Sequence, residues 1–137
     1  MTSLQGIPIV EAPVELPALN APALLREIES LLAQLVEQGT GGAIDLQALP
    51  LNEADRTLLV ETLGEGEVQA TIQALGPSEV RETAINGVWW ITHRNSDGHV
   101  TAELIEVTAI PEILSTHPAD ARAGLARLRT RLRGDND

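Results

Sequence analysis

Three histidines, His93, His99 and His117, are the side chains of this 137-residue sequence best suited to proton transfer or metal ligation near neutral pH. His93 and His99 flank one turn signal, Asn95-Ser96-Asp97-Gly98. If the flanking segments are antiparallel strands, the two rings approach each other with Asp97 close by, a two-histidine, one-carboxylate set that suits nickel or iron. Histidines at a solvated hairpin end are the commoner arrangement and the favoured reading. The carboxylates Glu65, Glu67, Glu79, Glu82, Glu103 and Glu106 lie on or beside strand-like sequence. A pair on adjoining strands could act as general acid and base, yet no spacing singles out a pair, and carboxylates that keep a sheet and its edges soluble explain the set. There is no cysteine, which excludes thiol nucleophiles, disulfides and thiolate-held clusters in this chain. No serine sits in a nucleophile-elbow sequence. Gly64-Glu65-Gly66-Glu67-Val68 is no phosphate cradle, because helical sequence precedes it and strand-like sequence follows, the reverse of the required order. The expectation is a protein that is not an enzyme, with no catalytic residue, no bound metal and no cofactor.

Trp89 and Trp90 are the only aromatic side chains. Neighbours on a strand point to opposite faces, so one ring faces inward and the other outward. Trp89 shares parity with Ile85 and Ile91; Trp90 shares it with Val88 and Thr92 and, further off, Glu82 and Arg94. The first set is more apolar, which predicts Trp89 inward and Trp90 outward. An outward tryptophan is suited to anchor a protein interface, where that residue is the most enriched hot spot. The predicted partner-binding region is therefore Trp90, with Trp89 beside it, together with Glu67, Glu82 and the sheet surface around them.

Positioning these residues requires elements of two periods. Asn20 can cap a helix with Pro22 in its first turn, and Leu24, Leu25, Ile28, Leu31, Leu32 and Leu35 recur at helical spacing until Gly39. Ile44, Leu46 and Leu49 form a short extended or turn segment before Pro50. A second helix starts at Asn52, with Asp55 placed to favour the free amides of its first turn, and stops at Gly64. Val68, Ala70, Ile72 and Ala74 then alternate with polar residues as a half-buried strand does. After the Gly76-Pro77-Ser78 turn a long second strand runs from Val80 to Arg94, with room for a bulge near Asn86-Gly87. Val100 to Ile110 makes a third strand, ended by Pro111, and a last helix runs from Pro118 to Leu132 with a narrow stripe of Leu125, Leu128 and Leu132. The predicted fold is α+β: two N-terminal helices, a three-stranded antiparallel meander and a C-terminal helix, with helices mainly on one sheet face. Residues 1–20, with Pro8, Pro13 and Pro17, read as an extended arm, residues 21–133 as a single domain and residues 134–137 as a tail.

The formal net charge of −11 disfavours nucleic acid and anionic membrane as partners and is compatible with a basic or neutral protein. All nine cationic side chains are arginine, and Arg122, Arg127, Arg129, Arg131 and Arg133 crowd into the last helix, where they suit its negative end. No apolar run approaches the roughly 18 to 20 residues a membrane span needs, so the expected location is the cytoplasm.

One resemblance covers most of the chain. LLREIESLLAQLVEQG from Leu24, IDLQALPL from Ile44 to Leu51, the GEGEV, SEVRET and GVWW motifs and the trailing EVTAIPEIL, in that order and spacing, resemble the bacterial hydrogenase expression/formation family called HupH or HyaF. In its longer members the matching region lies towards the C-terminus. The resemblance implies a non-enzymatic, chaperone-like accessory protein for maturation of uptake nickel–iron hydrogenases. It also implies a partner: a hydrogenase subunit precursor, the small subunit favoured, or another accessory protein. The competing expectations are a metal carrier or enzyme built on the carboxylates with His93 and His99, and a structural homo-oligomer.

Overall fold

Pro22 in the first turn and Gly39 in the left-handed region (φ 82°) bracket the first helix, α1 (Ala21–Gln38), in the computed structural model, which describes residues 16–134. The second helix, α2 (Glu53–Leu63), opens with a capping box: Asp55 donates its N–H to Asn52 Oδ1 (2.7 Å), and Asp55 Oδ2 accepts the Asn52 N–H (3.1 Å). The other oxygen of Asp55 accepts the N–H groups of Asn20 and Ala21, each at 2.9 Å. One buried carboxylate thus satisfies free amides at the start of both helices and ties them together. Burial pushes the Asp55 carboxyl up, but the backbone N–H groups of Ala21, Asn52 and Asn20 outweigh it and hold the group below its ordinary value.

Five strands follow the order β1 (Gly42–Asp45), β2 (Gln69–Gln73), β3 (Pro77–Glu82), β4 (Val88–Arg94) and β5 (Val100–Val107) along the chain. They form one antiparallel sheet in the order β1-β5-β4-β3-β2. The expected three-stranded meander is corrected in two places. β1 pairs Gly42 with Val107 and Asp45 with Leu104; it is only four residues long and carries one buried side chain, Ile44, so no alternation marks it. The single strand expected from Val80 to Arg94 is two strands, folded back on each other with Glu82 opposite Trp89 and Val80 opposite Ile91. The reversal at residues 83–87 is held by Thr83, whose N–H and hydroxyl both donate to the Val88 carbonyl (2.9 Å each). Its hydroxyl also accepts the Ile85 N–H (3.2 Å), and Gly87 supplies a φ of 93° that side chains rarely adopt. The expected bulge near Asn86-Gly87 is thus a complete turn.

α1 and α2 pack on one face of the sheet. Leu24, Ile28, Leu59 and Leu63 bury themselves against Val88 and Trp90 of β4, Ile105 and Val107 of β5, and Ile44 of β1. On the opposite face Val80, Trp89 and Ile91 form a second cluster, joined by Ile72, Leu104 and Leu114. The tryptophan faces are therefore the reverse of the expectation: Trp90 points at the helices and Trp89 away from them, and both are covered, at 6% and 5% exposure. β4 is the central strand, and Val88 through Thr92 are all buried, so both parities are apolar and hydrophobicity does not tell them apart. Ile85, counted with Trp89, lies in the turn and not on the strand.

The chain continues through a one-turn 3-10 segment (Glu112–Leu114) to α3 (Pro118–Gly134). α3 buries none of its residues, so the expectation of helices on one sheet face holds for α1 and α2 alone. The first fifteen residues of the expected arm and positions 135–137 of the expected tail lie outside the described residues. Among the described residues no helix is long and apolar enough to cross a membrane.

Candidate protein-binding groove

The two-helix layer reaches only β1, β5 and β4, which leaves the helix-side face of β3 and β2 open. α2 ends beside this open strip. Gly64 closes the helix through its N–H to the Val60 carbonyl (2.9 Å), and its φ of 66° turns the chain away. The next residues are lashed to the end of β3: Gly66 donates to the Glu82 carbonyl (3.0 Å), and Glu82 donates to the Val68 carbonyl (2.9 Å). Gly66 passes so close to the Thr83 carbonyl that any Cβ there would collide with it. The GEGEV glycines thus serve a close backbone crossing, and the crossing forms one wall of a groove of about 380 Å³. α2 forms the other wall and Trp90 lies in the floor.

On β3, Glu79 and Arg81 stand opposite Thr92 and Trp90, so they share the helix-side face with Trp90 and line the groove. The Arg81 guanidinium lies 6.0 Å from the centre of the Trp90 ring, close enough for the indole face to attract it. Arg81 Nε is buried without a hydrogen-bond partner. The ring is fixed from behind: Trp90 Nε1 donates to Glu103 Oε2 (2.9 Å), and Glu103 Oε1 pairs with Arg56 of α2 (2.9 Å). This chain of contacts runs from α2 through β5 to the floor of the groove. Glu65 and Glu79 give the rim acidic groups beside Arg81, and the exposed Val60 and Val68 give it apolar surface. The arrangement assembles no nucleophile with an oriented base; it offers a mixed acidic and apolar surface over a rigid sheet, which is suited to holding a protein segment.

Of the four predicted partner-binding residues, Trp90 lies in the floor of this groove, and Glu82 borders it at the backbone bonds to Gly66 and Val68, while its place opposite Trp89 puts its side chain on the other face. Trp90 contributes floor and not a projecting anchor, because the helices cover it. Glu82 is half-buried, and Oε2 accepts the Gly87 N–H (3.2 Å). Glu67 is exposed on the wall segment. Trp89 is on the other face, where its Nε1 donates to the Thr108 carbonyl (3.1 Å). Sequence reasoning missed Arg81 and Arg56, and it weighed Glu103 only as one of the strand carboxylates, not as the partner of Trp90. Arg81 lies within SEVRET, but its place opposite Trp90 becomes readable only once residues 83–87 are known to reverse the chain. The histidines do not converge. His93 Nδ1 bonds the Ser78 hydroxyl (2.7 Å); the His99 N–H donates to Asn95 Oδ1 (3.0 Å), and the His99 carbonyl accepts the Asn95 N–H (2.9 Å) within the turn. Among the described residues no three His, Asp or Glu side chains are placed to hold a metal ion together.

Comparison with known proteins returns one consistent set. Residues 18–134 match the family model described as HupH hydrogenase expression protein, C-terminal conserved region. The chain is 36% identical over 110 residues to the hydrogenase expression/formation protein HupH of Rhodobacter capsulatus, covering 80% of this chain and 40% of that protein. It is 33% identical over 119 residues to HoxQ of Azotobacter vinelandii, with 84% and 42% covered. It therefore spans about two fifths of the length of these relatives. The solved structure of the hydrogenase expression protein HupH from Thiobacillus denitrificans ATCC 25259 superposes with a TM-score of 0.80 at 46% identity, covering 84% of this chain and 96% of that one.

Proposed function

This chain belongs to the HupH hydrogenase expression protein family, and from that premise we propose that it is a non-enzymatic accessory protein of hydrogenase maturation that holds a protein partner at the groove beside α2. The observation that carries the reading is the 46% identity to a solved HupH across nearly the whole of that structure. The groove supports it physically: a strip of sheet left uncovered by the helix layer, with apolar and charged side chains side by side, is suited to a polypeptide more than to a small substrate. The partner proposed is a hydrogenase subunit precursor, the small subunit in first place, or another maturation protein. A metal carrier or enzyme built on His93 and His99 gains no support from the engagement of His93 Nδ1 with the Ser78 hydroxyl.

The test is affinity capture with the tagged chain from cells expressing a hydrogenase operon, read by mass spectrometry. Hydrogenase subunits or maturation proteins are expected in the captured set, and the variant Val60→Asp, at an exposed position on the α2 wall, is expected to lose them while remaining folded. Capture free of hydrogenase components would overturn the maturation role. Capture unaffected by the groove variant would move the contact elsewhere on the molecule.

A further inference from the structure

The groove and α3 are complementary surfaces that one copy of the chain leaves apart. α3 has seventeen residues and buries none of them, although a helix of that length has little stability in water unless an apolar face is packed. Ala121, Leu125, Leu128 and Leu132 recur at spacings of four and three along it, the narrow seam of a helix that packs on another element. Leu125 is 48% and Leu128 54% exposed. Around the seam stand five arginines against one aspartate, in a chain whose overall charge is −11. The groove sets exposed Val60 and Val68 beside Glu65 and Glu79, with Arg81 over its floor. A basic amphipathic helix laid there would complete the helix layer over β3 and β2.

The α3 of the same copy does not reach it. Leu114 packs with Val80, Trp89 and Ile91 on the face away from α1 and α2, and only residues 115–117 separate it from α3. The four steps from Leu114 to Pro118 span at most about 14 Å, whereas layers on opposite faces of a sheet stand about 20 Å apart at the roughly 10 Å spacing of packed layers, and no α3 residue lines the groove. Pairing α3 with another α3 would bring two arginine-rich surfaces together. We infer that α3 of a second copy occupies the groove, with Leu125 and Leu128 against Val60 and Val68 and its arginines against the glutamates of the rim. The contact is reciprocal, and two copies close each other's grooves about a twofold axis. This self-association does not rest on the maturation role: α3 of the second copy and a bound partner compete for the same groove, so the partner displaces the helix, and the test of the self-association uses the purified chain alone.

Because the sequence has no cysteine, engineered thiols report the contact without background. Full-length Val68→Cys and Leu128→Cys proteins are purified separately, mixed and oxidised. The mixed cross-link is expected to exceed either self-cross-link severalfold. Predominance of the Leu128→Cys self-cross-link would show α3 pairing with α3 and overturn the assignment, as would mixed cross-links no more abundant than random collision gives. Sedimentation equilibrium of the unmodified chain is expected to show a dimer whose dissociation constant rises roughly tenfold between about 0.05 and 0.5 M salt. The Leu125→Asp, Leu128→Asp variant is expected to be monomeric. A monomer at every concentration and salt, or a dimer that survives both aspartates, would sink the inference.

Discussion

Asp55 shows how much one side chain can carry when its acceptors face backbone amides. Its two oxygens meet the N–H groups of Asn20, Ala21 and Asn52, so the entries of α1 and α2 depend on the same charge. Because its folded value lies below the ordinary carboxylate value, the stabilisation is present above about pH 4 and is lost as pH falls through the depressed value. Asp55→Asn is expected to melt earlier at neutral pH and to lose less stability than the parent between about pH 4 and pH 2; thermal melts across that range check both. A parallel acid limb in the two proteins would show that other carboxylates carry the acid response. The tryptophans give a second prediction at this scale. Both are covered, on opposite faces of the central strand, so Trp90→Ala and Trp89→Ala are each expected to destabilise by roughly 3 to 5 kcal/mol. Denaturant unfolding reads this directly. A loss under about 1 kcal/mol for either would show that its side of the sheet relaxes around the gap.

At the level of elements, the sequence was legible where its signals are local. Asn20, Pro22 and Gly39 bracket α1, and Asn52, Asp55 and Gly64 bracket α2, each boundary marked by a residue whose own chemistry sets it. β2 and β5 show in their alternation and their Thr, Ile and Val content, and α3 in the spacing of its leucines. What stayed hidden depends on partners distant in sequence. β1 is a strand because β5 offers it an edge, not because Gly42-Ala43-Ile44-Asp45 prefers extension. The reversal at residues 83–87 relies on the Thr83 hydroxyl reaching Val88, a contact with no periodic signature. With the reversal unread, the pairing of Arg81 with Trp90 was unreadable too, and with it the groove. The wall of that groove yields a prediction for the glycine crossing. Gly66→Ala places a methyl group against the Thr83 carbonyl, and it is expected to cost roughly 1 to 3 kcal/mol as the wall shifts off β3. Gly98→Ala, where no atom lies near the added Cβ but φ is 86°, separates backbone strain from collision. A loss at Gly66 no larger than that at Gly98 would argue that the crossing shifts to admit the methyl group at little cost.

Across the whole molecule, charge and packing divide the chain into an acidic folded body and a basic helix outside its cores. Neither buried cluster contains an α3 residue, while most of the arginine is concentrated in that helix. A helix kept for the stability of its own body would bury its leucines there; Leu125 and Leu128 are exposed. Deleting residues 118–137 is therefore expected to leave the thermal midpoint of the monomer within a few degrees of the parent, about 1 kcal/mol or less for a domain of this size. The comparison is made at high salt and low concentration, so that loss of self-association does not enter. Under low salt the same deletion is expected to abolish the dimer and to lower the apparent midpoint relative to the parent, because association stabilises only the folded copies. A fall of more than about 10 °C in the dilute, high-salt melt would place α3 within the folding unit of its own chain, and the basic seam would then be an intramolecular strap and not the half of a contact that a second copy completes.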